Sequence, residues 1–372
     1  MGARQIVQAA AKAAQARQKM NTANDPFAEM LQSAAAMQES GRAVLRTMMG
    51  LGDVEVGTSE KRCVYSEDKI CLYRYTALAR SANLKPVLIC YAMVNRPYLL
   101  DLQPDRSFIR ELLLAGLDVY LLDWGYPDGA DRFLGLDVYV DGYLRRCVEF
   151  VLNEHAIDSL TLLGVCQGGT LSLCYAALEH RQIAQLITMV TPVDFKTPEN
   201  LLSKWAQHIE VGLLTQSGNV SGDFLNLIYL SLMPFRLTQQ KYVNLLQLQG
   251  DRVQLENFMR MEKWIFDSPD QPATAFREFI QWFFQENRLI RDELTLAGRP
   301  VRLKNLTAPV LNIFAAKDHL VPPSASIPLG AHIGSKDYES LDVDAGHIGL
   351  YVGGKTRKSV PAAVTAWLKA RR

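Results

Sequence analysis

Leu160-Thr161-Leu162-Leu163-Gly164-Val165-Cys166-Gln167-Gly168-Gly169 is the stretch whose reading decides the fold. An apolar, strand-like run ends at Val165, and an amphipathic helical pattern runs from Leu171 to Leu178. Between them stands Gly-x-Cys-x-Gly-Gly, the strand–turn–helix context of a nucleophile elbow. The nucleophile of such an elbow occupies a tight, strained turn, so that its side chain projects above the sheet. Neighbours without side chains let strand and helix approach closely. The turn also sets the thiol at a helix N-terminus, where the backbone dipole favours thiolate. A bare Gly-x-Cys-x-Gly is weak evidence, but in this context Cys166 reads as a nucleophile. The other five cysteines read as buried structural residues.

On either side of the elbow lie further short runs without polar alternation: 87–91, 119–122, 186–190 and 310–314. Such runs indicate strands covered on both faces, as in a parallel sheet. Helix-like segments at 105–115, 137–154 and 169–181 separate them, which gives a doubly wound α/β arrangement. Val64-Tyr65 and 70–75 read as two strands joined by the turn Ser66-Glu67-Asp68-Lys69.

The alternation stops after Val193 and resumes near Ala308-Pro309. The stretch between is too long for a loop. It is mostly helical in character and rich in large aromatics, among them Trp205, Phe224, Tyr229, Phe235, Tyr242, Trp264 and Phe283, most of which read as ordinary core. The expected organisation is an N-terminal helical Ala/Gln-rich segment over 1–62, an α/β-hydrolase core over 63–195 and 306–372, and an inserted helical cap over 196–305.

A triad on this fold runs nucleophile, acid, base along the chain. Asp318 follows the strand 310–314 and precedes the loop Leu320-Val321-Pro322-Pro323, and His347 lies in Asp344-Ala345-Gly346-His347-Ile348-Gly349. Order and context match an acid and a base. Asp342 and Asp344 compete with Asp318 as the acid, and Asp123 reads as a strand-end hydrogen-bonding residue. His155, His180, His208 and His332 read as solvated. His319 adjoins Asp318, and neighbouring side chains point apart, so it reads as structural or substrate-contacting. The oxyanion hole needs two backbone N–H groups. Gln167 supplies one, and Val94, in the loop after strand 87–91, supplies the other, with Asn95 as its neighbour in contention.

Composition excludes other functions. Forty basic and thirty-nine acidic residues leave no field to steer nucleic acid or an anionic membrane to the chain. The six cysteines never form a CxxC pair, which argues against zinc and against a disulfide framework and fits free thiols in a reducing cytosol. No apolar run reaches the roughly 20 residues of a membrane span, and the N-terminus shows no secretory h-region, since Gln, Lys and Arg interrupt its alanines repeatedly. Residues 1–50, rich in Ala, Gln and Met with a break at Asn24-Asp25-Pro26, read as an exposed or partner-binding helix rather than a presequence. No metal or cofactor is called for.

Cysteine itself informs on the substrate. A thiol attacking a thioester exchanges one thioester for another at almost no cost, and the bound acyl group stays activated for downhill transfer to a hydroxyl. A large apolar cap that excludes water suppresses hydrolysis. Acyl-CoA chemistry with an alcohol acceptor follows, the CoA thioester being substrate and not cofactor.

From Val64 onward the sequence resembles the polyhydroxyalkanoate (PHA) synthases, most closely the short class III catalytic subunit, PhaC. The resemblance is carried by Val64-Tyr65-Ser66-Glu67-Asp68-Lys69, Asn95-Arg96-Pro97-Tyr98, Asp123-Trp124-Gly125-Tyr126-Pro127, the elbow, and 191–198. It continues through Met261-Glu262-Lys263-Trp264-Ile265-Phe266-Asp267-Ser268-Pro269-Asp270, Asp318-His319-Leu320-Val321-Pro322-Pro323 and Gly346-His347-Ile348-Gly349. It implies that Cys166 is acylated by a 3-hydroxyacyl-CoA, most often 3-hydroxybutyryl-CoA. His347 would deprotonate Cys166 and the incoming hydroxyl, with Asp318 orienting His347. It also implies a second, non-catalytic subunit, PhaE, a catalytic homodimer or hetero-oligomer, and residence on cytoplasmic polymer granules. Ala345 stands where relatives often have glycine. The competing readings are a cysteine-dependent thioesterase or hydrolase of the same fold, and a non-enzymatic granule protein.

Overall fold

The computed structural model describes residues 39–40, 42–232, 245, 247 and 250–372. Phe235, Tyr242 and residues 1–38, including the Asn24-Asp25-Pro26 break, lie outside the described residues. The chain divides into two compact units, one of residues 55–233 with 260–372, the other of 1–54 with 234–259. In the latter, residues 42–51 are helical, and the Thr47 hydroxyl donates to the carbonyls of Ala43 (3.0 Å) and Gly250 (3.3 Å).

The first unit is built on an eight-stranded sheet. Its strands are β1 (Lys61–Glu67), β2 (Ile70–Tyr75), β3 (Val87–Cys90), β4 (Val119–Asp123), β5 (Leu160–Val165), β6 (Ile183–Met189), β7 (Val310–Ala315) and β8 (Tyr338–Val343), in spatial order 1-2-4-3-5-6-7-8. The β1–β2 hairpin is antiparallel and β2 runs antiparallel to β4; every later pairing is parallel. This is the α/β-hydrolase arrangement. Helices α1 (Phe108–Leu114), α2 (Arg145–His155) and α3 (Gln167–Leu178) make the crossovers.

The continuous apolar runs arise because the sheet separates two cores. Leu88, Cys90, Tyr120, Leu122, Leu160 and Leu162 face one. Val87, Ile89, Val119, Leu121, Leu163 and Val165 face the other. Alternate residues of one strand thus enter different cores, and the buried polar side chains of these strands pair with one another, Thr161 with Gln185 and Thr188 with Asn312. The two edge strands lack such runs: β8, partly exposed along its length, reads Tyr338-Glu339-Ser340-Leu341-Asp342-Val343, and β1 is likewise partly exposed.

Between β6 and β7 the chain forms several helices, including α4 (Gly222–Leu232) and α5 (Arg252–Phe266), of which residues 260–266 belong to the first unit. The chain closes with α6 (Thr356–Lys369).

One sequence expectation is corrected. Cys63 and Cys71, read as free structural thiols, are joined by a disulfide (S–S 1.97 Å, Cα–Cα 6.0 Å). Antiparallel pairing of β1 and β2 brings them together, although their sequence spacing resembles no bridge motif. Cys63 is exposed, so neither the burial nor the free state expected of it holds. Cys90, Cys147 and Cys174 are buried free thiols.

Candidate active site

The order of the strands reverses at β3, and β5 is the neighbour beside it, so the C-terminal end of β5 opens at the switch point where ligands meet α/β sheets. Cys166 stands there, between β5 and α3, with φ 53° and ψ −124°. That positive φ is sparsely populated for a residue with a Cβ and costs of order 1–3 kcal/mol. It is held by the backbone on both sides. Cys166 N–H donates to Met189 O (2.9 Å) in β6, and Cys166 O accepts from Gly169 N–H (2.9 Å). A Cβ on Gly168 would lie 2.3 Å from Cys90 O and 2.4 Å from Tyr91 O, so only glycine lets the first turn of α3 press against the end of β3. Unlike the three buried free cysteines, Cys166 is partly exposed.

Asp318 follows β7 and His347 follows β8, neighbouring parallel strands. His347 Nδ1 lies 2.7 Å from Asp318 Oδ2. The other carboxylate oxygen of Asp318 accepts from the backbone N–H groups of Leu320 (2.9 Å) and Val321 (3.0 Å). Both side chains are nearly excluded from water. Burial pushes the imidazole toward its neutral form. The charges of Asp318 and Cys166, with hydrogen bonds to both side chains, overcome it and raise the His347 pKa to about 10. Cys166, His347 and Asp318 therefore form one connected set.

The other candidates fall elsewhere. Asp342 and Asp344 are exposed, and Asp344 pairs with Lys317 (2.6 Å). His319 is exposed where Asp318 is buried, as expected for adjacent residues. His155 meets Tyr120 Oη (2.9 Å), and His208 Nδ1 lies 2.9 Å from Lys204 O.

The loop after β3 lies over the elbow. Met93 N–H donates to Gln167 Oε1 (3.0 Å), so the Gln167 side chain ties the loop holding Val94 to the start of α3. Asn95, at φ 59°, donates through Nδ2 to Ser268 Oγ (2.7 Å) and to the carbonyls of Trp264 and Ile265 (3.3 Å each). Trp264 Nε1 returns a bond to Arg96 O (2.9 Å). Arg96 also pairs with Asp123 Oδ2 (2.6 Å), donates to Gly125 O (2.7 Å) and stacks on Tyr126 (4.1 Å). Asp123 acts as the strand-end hydrogen-bonding residue its position predicts, accepting from Gly125 N–H (2.9 Å). Asp267 accepts from the hydroxyls of Tyr98 (2.9 Å) and Tyr126 (2.6 Å). Segments far apart in sequence thus form one scaffold around the loop after β3.

Three tyrosines not expected at the site are within electrostatic reach of the nucleophile. Burial, then the charge on Cys166, raises the pKa of Tyr91, Tyr229 and Tyr351. The Tyr351 ring meets His347 edge-on, centroids 6.3 Å apart, and its buried hydroxyl has no hydrogen-bond partner among the described residues. Its spacing four residues beyond His347 was the available signal. Among the described residues no group of three or more His, Cys, Asp or Glu is placed to hold a metal ion.

Comparison with known proteins agrees with this architecture. The α/β-hydrolase fold family matches residues 85–354, and the family described as poly-beta-hydroxybutyrate polymerase (PhaC) N-terminus matches residues 13–112. The poly(3-hydroxyalkanoate) polymerase subunit PhaC of Allochromatium vinosum is 51% identical over 330 residues, covering 88% of this chain and 93% of the relative. The chain belongs to the PhaC family of poly(3-hydroxyalkanoate) polymerases. With that family it is an acyltransferase-type synthase. The PhaC subunit of Synechocystis sp. is 46% identical, covering 88% of this chain and 89% of the relative. Among solved structures, BpoC of Mycobacterium tuberculosis superposes with a TM-score of 0.51 at 14% identity, covering 84% of this chain and 99% of that one. That likeness speaks to the fold alone. No described helix is long and apolar enough to cross a membrane.

Proposed function

We propose that the protein polymerises (R)-3-hydroxyacyl-CoA, with 3-hydroxybutyryl-CoA as the working substrate, through a thioester on Cys166. The observation that carries this reading is the connected set of Cys166, His347 and Asp318 at the elbow. His347 takes the thiol proton. The sulfur attacks the acyl carbonyl, the carbon–sulfur bond to CoA breaks, and the departing thiolate collects the proton from His347. In the second half, His347 accepts the proton of a hydroxyl on another acyl unit. That oxygen attacks the Cys166 thioester, an oxygen ester forms, and the Cys166 sulfur leaves. Asp318 orients the imidazole and balances its charge. The backbone N–H groups of Gln167 and Val94 face the carbonyl oxygen as it gains charge. The CoA thioester enters as substrate, and no cofactor takes part.

The insertion between β6 and β7, expected over 196–305, would serve as a cap that keeps water from the acyl-enzyme. A second subunit of the PhaE kind, a dimeric or mixed assembly, and attachment to cytoplasmic polymer granules complete this reading.

The test is incubation of the chain and its Cys166→Ala variant with radiolabelled 3-hydroxybutyryl-CoA, following thiol release, turbidity and protein-bound label together. Thiol release with turbidity, and neither in the variant, supports the reading. Free 3-hydroxybutyrate without turbidity points to a thioesterase, and undiminished CoA release by Cys166→Ala removes the nucleophile.

A further inference from the structure

Asn226, on α4, carries a polar group that the reaction above leaves unused. The Asn95 amide donates to two carbonyls, which can only accept, and this fixes the orientation of its side chain. The same Nδ2 donates to Ser268 Oγ (2.7 Å), so the Ser268 proton goes onward to Asn226 Oδ1 (2.6 Å). The direction of the chain leaves Asn226 Nδ2 as a donor, and this atom is buried with no hydrogen-bond partner among the described residues. Asn226 is only 5% exposed. Buried amides are ordinarily satisfied, and a donor left over beside an enzyme's reactive centre fits an acceptor that arrives with the substrate.

The position of α4 supports this. Val220 and Gln271 exchange backbone hydrogen bonds (2.9 and 2.8 Å), and Gly222 N–H donates to Asp270 Oδ1 (3.0 Å). A Cβ on Gly222 would lie 1.9 Å from Ser268 O, so the start of α4 is pressed against the segment that holds the loop after β3. Gln271 Nε2 reaches that loop directly, donating to Met93 O (2.9 Å). Residues three apart on a helix share a face. Tyr229, three beyond Asn226, is within electrostatic reach of Cys166, whereas Phe224 and Leu227 point to solvent. Asn226 therefore lies on the flank of α4 that meets Ser268 and, through it, Asn95 in the loop after β3.

Resting on the reading that Cys166 carries the acyl group, we propose that Asn226 Nδ2 is a substrate-recognition donor that binds the oxygen on C3 of the acyl unit. That oxygen is a hydroxyl in the free monomer and an ester oxygen once the unit has been joined.

The test compares single-turnover acylation of the full chain by radiolabelled 3-hydroxybutyryl-CoA and by butyryl-CoA, which lacks the C3 oxygen. Asn226→Leu should slow acylation, or elongation of the loaded enzyme, by about tenfold with the hydroxylated substrate, the loss of one neutral hydrogen bond. The butyryl rate should hold. Loss at acylation assigns the contact to the monomer hydroxyl, and loss at elongation alone assigns it to the ester oxygen. An equal fall with both substrates, or no fall at either step, overturns the proposal. Asn226→Asp keeps the acceptor for Ser268 while removing the donor. If Asn226→Leu fails to fold, the Asp variant decides by the same ratio of rates. Cys166→Ala is labelled in parallel: label there defeats the acyl-cysteine reading, whereas an unchanged ratio in the Asn226 variants defeats only this proposal.

Discussion

His347 Nδ1 and Asp318 Oδ2 stand 2.7 Å apart at the ends of two neighbouring parallel strands, and the rest of the Asp318 carboxylate is occupied by the backbone N–H groups of Leu320 and Val321. The carboxylate is thus fixed before the imidazole meets it. One ring nitrogen of His347 is committed to Asp318, which leaves the other for the sulfur and for the substrate's proton.

His347→Gln should lower single-turnover acylation by roughly 10²–10⁴-fold, the usual contribution of a positioned general base. Quenched-flow labelling with a radiolabelled acyl-CoA measures it, and a variant that acylates at the native rate would exclude His347 from that step.

Asp318→Asn should spare acylation more than elongation. A thiol surrenders its proton to a weakened imidazole more readily than an alcohol does, so the second half-reaction suffers more. The ratio of the two rates, compared with the native ratio, is the quantity to measure; a fall confined to acylation would contradict the assignment.

The pKa of His347 rises from its ordinary 6.5 to about 10. A group raised on folding contributes stability that is fully present below pH 6.5 and is lost as pH climbs through 10. The stability difference between the native chain and His347→Gln should therefore narrow across that window. Urea unfolding at pH 6, 8 and 10 reads it, and a gap that widens with pH would be incompatible with the pairing.

Gly168→Ala should destabilise the protein by about 1–3 kcal/mol or more and lower activity, because the added methyl meets two backbone carbonyls that cannot turn aside. A normal urea midpoint with normal labelling would show that β3 and α3 are not in close contact.

The Cys63–Cys71 bridge should leave four of the six cysteines titratable after denaturation without reductant. Cys63→Ser with Cys71→Ser should cost about 2.5 kcal/mol, the loop-closure value for so short a loop. Six reactive thiols in the unreduced protein would show the bridge absent.

The sheet, the elbow and the chain order of Cys166, Asp318 and His347 were legible because each is written locally. A strand covered on both faces shows as an unbroken apolar run, and a strained turn must surround its nucleophile with glycine. β8 was harder to see, since an edge strand half in water lacks that run. The Cys63–Cys71 bridge and the Asn95–Ser268–Asn226 chain carry no local pattern at all. They exist because antiparallel pairing and the docking of a long insertion bring together residues far apart in the chain. Sequence by itself determined which atoms could react. Only the tertiary structure decided which polar groups surround them, because that depends on long-range packing and not on spacing along the chain.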